Sequence, residues 1–241
     1  MAEDSQVSES AGSGKKLSIV IPAYNEEARI EAVLRNYCES FPTQEIIVVC
    51  NGCTDNTPNI AGDLCASYSQ IRALAFEEKM GKGGAIVEGF RVARGDVVGF
   101  VDADESVEPG DVERMLDALA NADGIIASRR LRDSRILVKQ PLKRRLASRL
   151  FNLIVRVMFG LSYRDTQCGA KVFRKDAVHS VQDELTTKGF EFDVELLWKL
   201  KKRGYNVVEF PVTWKHSEGS TFRLSNAPRM FLSLLKVRLW S

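Results

Sequence analysis

Apolar and polar positions alternate in blocks along the first half of the chain. Short runs rich in Val and Ile predict buried strands at Leu17–Ile21, Glu45–Val49, Ile71–Phe76, Asp96–Val101 and Gly124–Ala127. The segments between them have helical spacing and predict helices at Glu27–Tyr37, Thr57–Tyr68, Gly84–Ala93 and Gly110–Ala120. Asn56 before Pro58, and Glu108 before Pro109, are typical helix starts. This alternation predicts an α/β fold with a mostly parallel sheet flanked by helices.

Two later segments combine an apolar helical face with basic side chains. Leu142–Phe159 has apolar residues at 142, 146, 150, 153, 154, 157 and 158, with Lys143, Arg144, Arg145, Arg149 and Arg156 around them. Met230–Trp240 sets Phe231, Leu234, Leu235 and Trp240 beside Lys236 and Arg238. Basic amphipathic helices lie on anionic membrane surfaces, and we expect interfacial helices here. The alternative is that both helices pack their apolar faces on the core.

The chain has 241 residues, of which 44% are hydrophobic and 27% are charged, a composition typical of ordinary globular proteins. Residues 1–16 are rich in Ser, Gly and acids and predict a disordered tail. Residues 17–225 are expected to form one domain, which includes an amphipathic helix at about 141–159. Residues 226–241 are expected to form a C-terminal amphipathic helix. No apolar run reaches the ~18 residues of a spanning helix, and residues 1–16 lack the apolar core of a signal peptide. We therefore expect a cytoplasmic location. The odd number of cysteines, five, favours free thiols.

The net charge of +2 hides a division along the chain. Residues 1–128 hold 10 basic and 22 acidic groups, whereas residues 129–241 hold 24 basic and 10 acidic groups. Between Arg129 and Arg149, nine basic groups face the single acid Asp133. This asymmetry indicates an anionic partner for the second half. Nucleic acid is not expected, because no binding motif is present and aromatic residues are not interleaved with the basic ones.

Unusual segments follow three of the predicted strands, at 22–26, 51–55 and 102–105. Ligands of parallel sheets bind at the carboxyl ends of the strands, so these segments predict a site. Asp102 and Asp104 repel each other unless a cation lies between them, which favours Mg²⁺ or Mn²⁺ held together with substrate phosphates. An acidic surface loop is the alternative, since Glu105, Glu108 and Asp111 follow.

Two further motifs have simpler alternatives. Gly81–Gly84 opens a helix and is a candidate phosphate cradle, although it lacks the spacing of a P-loop and a tight turn also explains it. Cys50 and Cys53 form a C-x-x-C pair, but no second pair follows and the two histidines, His179 and His216, are far away in sequence. We therefore expect neither zinc nor redox chemistry there.

Taken in order, these segments resemble the inverting family 2 glycosyltransferases of GT-A (Rossmann-like) fold. The resemblance rests on four motifs, Pro-Ala-Tyr-Asn-Glu at 22–26, Asn-Gly-Cys-Thr-Asp at 51–55, Gly-Lys-Gly-Gly at 81–84 and Asp-Ala-Asp at 102–104. Residues 164–173, 192–197, Trp214 and 218–220 resemble dolichyl-phosphate glucose and dolichyl-phosphate mannose synthases, the glucose type most closely. The resemblance covers roughly residues 16–240.

The resemblance implies a set of site residues. A nucleotide sugar would be bound by Pro22, Ala23, Tyr24, Glu26, Asn51, Asp55, Lys82, Asp102, Ala103, Lys215 and Ser220. Asp102 and Asp104 would hold the metal, and Arg129 would meet phosphate or sugar near the reaction centre. The sequence departs from the family at Asn51, where an aspartate is usual, and at Ser106, where mannose synthases often have a glutamine metal ligand.

A phosphate acceptor agrees with the basic segment. A phosphate monoester is largely dianionic at neutral pH, so it needs cations rather than a general base, and Arg129 with Arg144 or Arg145 would supply them. We therefore expect Asp104, Arg129 and Arg144 to be catalytic in a single inverting displacement onto dolichyl or polyprenyl phosphate. The protein would lie on the cytoplasmic face of an anionic membrane, with a membrane-protein partner as a further possibility.

Two other functions fit the same sequence. A family 2 enzyme with a hydroxyl acceptor on a glycan would need a base, for which Asp193 or Glu195 is available. A non-catalytic module that binds nucleotide sugars or membranes would keep the fold without turnover.

Overall fold

The computed structural model describes residues 16–216 and 227–240. The strands are β1 (Leu17–Ala23), β2 (Glu45–Asn51), β3 (Ile71–Phe76), β4 (Val97–Val101), β5 (Gly124–Ser128), β6 (Arg135–Val138), β7 (Ala170–Arg174), β8 (Val207–Pro211) and β9 (Thr213–Lys215). The helices are α1 (Ile30–Ser40), α2 (Thr57–Ser67), α3 (Gly81–Val92), α4 (Pro109–Ala118), α5 (Leu142–Phe159), α6 (Lys175–Gln182), α7 (Phe192–Lys202) and α8 (Ala227–Trp240). Of the predicted N-terminal tail, only Lys16 is among the described residues.

Seven strands form the central sheet in the order β3-β2-β1-β4-β7-β5-β8, and β6 pairs with β9 in a small second sheet. β1 is parallel to β2 and β4, β2 to β3, and β5 to β8. β7 lies antiparallel between β4 and β5. The prediction of a mostly parallel sheet is confirmed, with one antiparallel strand inserted from the second half of the chain.

Alternating side chains of the strands build one apolar layer on each face of the sheet. Ile19 and Ile21 of β1 belong to the layer covered by α1, α2 and α4. Val20 between them belongs to the layer covered by α3, α5, α6, α7 and α8. Because both faces are covered, β1, β2 and β4 are largely apolar, which is why their positions were predictable.

The two amphipathic helices meet the core in different ways. α5 buries Asn152, Val155 and Phe159. Of the predicted apolar face, Met158 packs against the core and Ile154 is half-buried, whereas the other five residues are exposed: Leu142, Leu146, Leu150, Leu153 and Val157. The core-packing alternative therefore describes only a small part of this face of α5. α8 does bury Met230, Leu234 and Val237, but leaves Leu239 and Trp240 exposed. Among the described residues, no helix combines the length and hydropathy needed to span a bilayer.

Candidate active site

The loops after β1 and β2 are tied to each other by side-chain hydrogen bonds. The backbone N–H of Thr54 donates to Asn25 Oδ1 at 2.8 Å, and that of Glu27 donates to Asp55 Oδ2 at 3.1 Å. The N–H of Glu26 donates to Thr57 Oγ1 at 2.8 Å. Asn25 adopts a positive φ of 55°, a conformation in which asparagine is enriched. These bonds make the first two segments of the predicted site one structural unit.

Asn51, at the end of β2, connects this unit to the segment before α3. Its Oδ1 accepts the N–H of Met80 at 2.7 Å, and the side chain is buried. At Gly52, φ is +65° and a Cβ would lie 2.7 Å from the backbone nitrogen of Lys79. The Lys79 ammonium in turn lies 3.3 Å from the centre of the Tyr24 ring. Asn51 and Asp55, expected to bind the donor, here make their hydrogen bonds within the protein and shape its loops.

The acid pair follows β4 at the same edge of the sheet. Asp102 Oδ1 lies 2.6 Å from Lys82 Nζ, and Asp104 Oδ1 accepts bonds from the N–H and hydroxyl of Ser106 at 3.0 and 2.6 Å. Burial, and then the charge of Asp102, raise the pKa of Asp104. Burial would lower the pKa of Lys82, but Asp102 and Asp193 outweigh burial and raise it. The two carboxylates therefore repel each other, as the sequence predicts, and Lys82 compensates part of that repulsion.

The donor atoms at this pair fit a hard divalent cation. Within the described part of the chain, Oδ2 of Asp102 and Oδ2 of Asp104 accept no hydrogen bond, and no third Asp, Glu, His or Cys completes a metal cluster. Magnesium is usually held by one or two carboxylates together with substrate phosphates, so a protein cage is not required. The pair can hold Mg²⁺ or Mn²⁺ once a diphosphate supplies the remaining oxygens.

Gly169 makes room for the Asp102 carboxylate, a role that the sequence analysis missed. Its carbonyl accepts the N–H of Asp102 at 3.0 Å. A Cβ built on Gly169 would lie 2.0 Å from Asp102 Oδ2, closer than any real contact. The only signal in the sequence was the family-like segment 164–173, which gave no role for this glycine.

Arg129, just after β5, is fixed on two sides. Its Nε and Nη2 donate to the two carboxylate oxygens of Asp165 at 2.7 and 2.8 Å, and its guanidinium lies 5.3 Å from the centre of the Trp214 ring. Asp165 is buried, and no sequence pattern linked it to Arg129. Nη1 keeps its hydrogens available to an anion, since no bond to it is found in the described ranges.

A cavity of about 140 Å³ brings the acidic and basic groups together. Its lining includes Lys82, Asp102, Asp104, Ser106, Arg129, Arg144, Ser148, Phe151, Gly169, Asp193, Trp214 and Met230. Burial and the charge of Arg129 lower the pKa of Arg144, and Asp104 opposes them. Arg145 is exposed and outside this lining, so the structure brings Arg144, and not Arg145, to the acid pair.

Lys215 reaches the rim of the acid pair through Glu105. Its Nζ lies 3.3 Å from Glu105 Oε2, and its backbone N–H donates to the carbonyl of Ser106 at 3.1 Å. Glu105 has a positive φ of 50°, and Val107, two residues further on, forms a bridge with Trp214 of β9. Ser220, the other residue expected in this region, lies outside the described residues.

The two candidate bases differ sharply in their surroundings. Asp193 lines the cavity, and its Oδ1 lies 2.6 Å from the ammonium of the fully buried Lys171. Glu195 is outside the cavity lining, and its carboxylate accepts bonds from the N–H and hydroxyl groups of Thr186 and Thr187. The expectation that Glu195 could serve as a base is wrong, because all of these bonds fix the loop before α7.

The glycines in the first turn of α3 serve packing rather than anion binding. The N–H groups of Gly83 and Gly84 both donate to the carbonyl of Lys188. A Cβ on Gly81 would lie 2.2 Å from that same carbonyl, and one on Gly83 would lie 2.4 Å from Phe192 Cβ. The phosphate-cradle hypothesis is therefore not supported for these amides, and Lys82 is the residue of this segment that reaches the site.

Comparisons with known proteins agree on one family. A model described as glycosyl transferase family 2 matches residues 18–181. Glycosyltransferase AglD of Haloferax volcanii is 34% identical over 210 residues, which cover 84% of this chain and 33% of that protein. The dolichyl-phosphate beta-glucosyltransferase of Saccharomyces cerevisiae is 31% identical over 247 residues, covering 92% and 74%. The undecaprenyl-phosphate mannosyltransferase of Micrococcus luteus is 31% identical over 210 residues, covering 86% of each chain. This chain thus spans only a third of AglD.

Solved structures share the fold. The crystal structure of glucosyl-3-phosphoglycerate synthase from Mycobacterium tuberculosis, in complex with Mn²⁺, UDP and glucosyl-3-phosphoglycerate, aligns with a TM-score of 0.69 at 21% identity. The alignment covers 94% of this chain and 79% of that one. The expected GT-A fold is confirmed, and that neighbour carries a divalent metal and a nucleotide in it.

Proposed function

Because this chain belongs to glycosyl transferase family 2, we propose that it transfers a hexose from a nucleotide-diphosphate sugar to dolichyl phosphate or another polyprenyl phosphate. The supporting observation is that one and the same cavity is lined by the acid pair Asp102 and Asp104 and by Arg129 and Arg144. The acid pair suits a metal-bound diphosphate, and the two arginines suit a second anion. Relatives at 31% identity are named for polyprenyl-phosphate glucosyl and mannosyl transfer.

On the donor side, the chain supplies charge and shape. The loops after β1 and β2 would receive the nucleoside. Pro22, Tyr24 and Glu26 are half-buried there, and Ala23 is buried at the end of β1. Bound at Asp102 and Asp104, Mg²⁺ or Mn²⁺ would supply Lewis-acid stabilisation of the leaving diphosphate. Lys82, paired with Asp102, would lie beside the same phosphates and add a second positive charge.

On the acceptor side, the chain needs to bind rather than deprotonate. A phosphate monoester is already largely dianionic near neutral pH, so it attacks the anomeric carbon once it is held in line. Arg129, fixed by Asp165 and Trp214, presents Nη1 to this anion, and Arg144 lines the same cavity. Attack opposite the leaving diphosphate inverts the configuration and gives a β-linked polyprenyl phosphohexose.

The exposed apolar faces explain how such an enzyme would reach a lipid. Leu142, Leu146 and Leu150 of α5 are 56–65% exposed, and Trp240 of α8 is 80% exposed. We propose that both helices rest on the cytoplasmic face of an anionic membrane, where a polyprenyl tail can stay in the bilayer while its phosphate enters the cavity. A membrane-protein partner would add to this attachment.

A second candidate function uses a hydroxyl acceptor. It is favoured by one observation, the presence of the Asp193 carboxylate in the cavity, where it could accept a proton. Against it, Asp193 Oδ1 lies 2.6 Å from the ammonium of the buried Lys171, so this carboxylate already belongs to an internal ion pair.

A transfer assay distinguishes the candidates. Purified chain is incubated with labelled UDP-glucose or GDP-mannose, Mn²⁺ or Mg²⁺, and dolichyl phosphate. We expect label to enter the organic phase, EDTA to stop it, and Asp104→Ala to reduce it at least a hundredfold.

Label in a water-soluble glycan, lost in Asp193→Asn, would favour the hydroxyl acceptor instead. Binding of the donor without turnover with any acceptor would contradict both enzymatic proposals and leave a binding module.

A further inference from the structure

A second cavity, of about 340 Å³, lies beside α5 and shares no lining residue with the active-site cavity. It is lined by Arg130, Arg149, Asn152, Leu153, Arg156 and Arg164. Four of its six lining residues carry a guanidinium group and none carries a carboxylate. The proposed reaction assigns no role to any of these arginines.

The protein itself does not neutralise this arginine cluster. Arg130 donates only to neutral oxygens, the Arg164 carbonyl at 2.7 Å and Ser148 Oγ at 2.8 Å. The side chains of Arg149, Arg156 and Arg164 form no ion pair within the residues that the structure describes.

The two nearby acids are already engaged. Asp165 holds Arg129, and Glu209 accepts the backbone N–H groups of residues 164 and 165 at 2.8 and 2.9 Å. Burial lowers the pKa of Arg130, and the positive charges of Arg129 and Arg149 lower it further. The negative charges of Asp165 and Glu209 raise this pKa but do not outweigh the other effects. The cavity therefore keeps an excess of positive charge that an external anion can satisfy.

The arginine cluster adjoins an apolar surface on the same helix. Arg149 and Arg156 are seven residues apart, so they lie two turns apart on one side of α5. Leu146, Leu150, Leu153 and Val157 form the neighbouring stripe and are 56–79% exposed. Leu153 belongs to both features, since it also lines the cavity. An anionic group joined to an apolar chain would match this pair of surfaces.

We propose that the arginine cluster binds the phosphodiester headgroup of an anionic membrane phospholipid, whose acyl chains lie along the apolar stripe of α5. Guanidinium groups bind phosphate oxygens with paired, charge-assisted hydrogen bonds, and basic pockets at membrane surfaces hold lipid headgroups in this way. The lipid is a docking ligand, distinct from the acceptor that Arg129 and Arg144 would bind. The proposal does not depend on which sugar is transferred, or on transfer itself.

Vesicle flotation of the full chain tests this site. The vesicles contain phosphatidylcholine alone or with about one third phosphatidylglycerol, and no polyprenyl phosphate, so the proposed acceptor is absent. The test variant is Arg149→Gln with Arg156→Gln. The control is Lys139→Gln with Lys143→Gln, which removes the same charge from exposed positions outside both cavities.

We expect the test pair to lower the affinity for the phosphatidylglycerol vesicles at least tenfold more than the control pair does, with little binding of either protein to pure phosphatidylcholine. Equal losses in the two pairs would reduce the effect to general electrostatics and overturn the site. Inorganic phosphate provides a second arm. Suppose that phosphate raises the melting temperature of the wild type but not of the test pair, and that the test pair binds vesicles as well as the wild type does. The cavity then holds free phosphate, and the lipid proposal is wrong.

Discussion

Arg129 keeps its position at the cavity because Asp165, 36 positions along the chain, accepts hydrogen bonds from Nε and Nη2 of its guanidinium group. Lys171 and Asp193 repeat this arrangement 22 positions apart, with both side chains almost completely buried. Buried charges require partners, but a partner so far along the sequence leaves no local pattern. The resemblance marked Arg129 and the acid pair, whereas the residues that position them had to come from the structure.

Gly169→Ala tests the positioning of Asp102. The added Cβ would overlap Asp102 Oδ2, so the carboxylate must leave its present position. We expect turnover to fall at least tenfold while the melting temperature changes by only a few degrees. Gly110→Ala is the matched control, since a Cβ there meets nothing within 4 Å. Wild-type turnover in Gly169→Ala would show that the position of Asp102 is not critical.

Asp165→Asn tests the support of Arg129 and has a defined pH dependence. Burial would raise the pKa of Asp165, but Arg129 outweighs it, so the pKa lies below its usual range. The carboxylate therefore stabilises the fold above its unfolded pKa of about 4, and this contribution is lost as the pH falls further through the folded pKa. We expect the substitution to lower the free energy of unfolding by roughly 3–5 kcal/mol near neutral pH.

Urea unfolding of the two proteins checks this expectation. The difference between wild type and Asp165→Asn should stay constant down to about pH 4 and shrink below it. A difference that grows on acidification would contradict the assignment of a stabilising charged pair.

At the scale of elements, regular patterns were predictable and inserted ones were not. β1, β2 and β4 are largely apolar because both of their faces are covered, and each was predicted within two residues. β7 was missed, although it completes the sheet between β4 and β5. Its five residues include a lysine and an arginine, which give no strand pattern, and the buried Lys171 is paired with Asp193.

α5 is the element whose bounds were predicted from the sequence and whose burial needed the structure. Its helical spacing predicted Leu142–Phe159, the observed range, but two opposite sides of the helix compete for the core. The core accepts the side with Asn152, Val155 and Phe159, partly because Asn152 Nδ2 finds a partner in Thr166 Oγ1 at 3.4 Å. The number of apolar residues on each side of α5 could not predict which side is buried.

Leu150→Ser with Val157→Ser tests the exposed stripe of α5. These side chains are 60% and 79% exposed, so their loss should cost the fold little. We expect flotation with anionic vesicles to weaken several-fold at an unchanged melting temperature. Val155→Ser is the contrast on the same helix, because Val155 is fully buried and its replacement should lower the melting temperature instead. Unchanged flotation of the double variant would reject α5 as a membrane contact.

For the whole molecule, the near-neutral net charge of +2 conceals a division of tasks. The acidic first half contributes Asp102 and Asp104, and the basic second half contributes Arg129 and Arg144. β7 and β5 bring the two halves into one sheet, and their charges meet in one cavity. In our account the acidic half holds the donor and the basic half holds the acceptor phosphate.

The most direct test of this account is the separate effect of Arg144→Gln on the two Michaelis constants. Loss of a charge-assisted hydrogen bond should raise KM for polyprenyl phosphate roughly tenfold or more, while KM for the nucleotide sugar changes less than about twofold. Lys143→Gln, which removes a neighbouring charge outside the cavity, should change neither value. A raised KM for the nucleotide sugar with an unchanged KM for the acceptor would contradict the account.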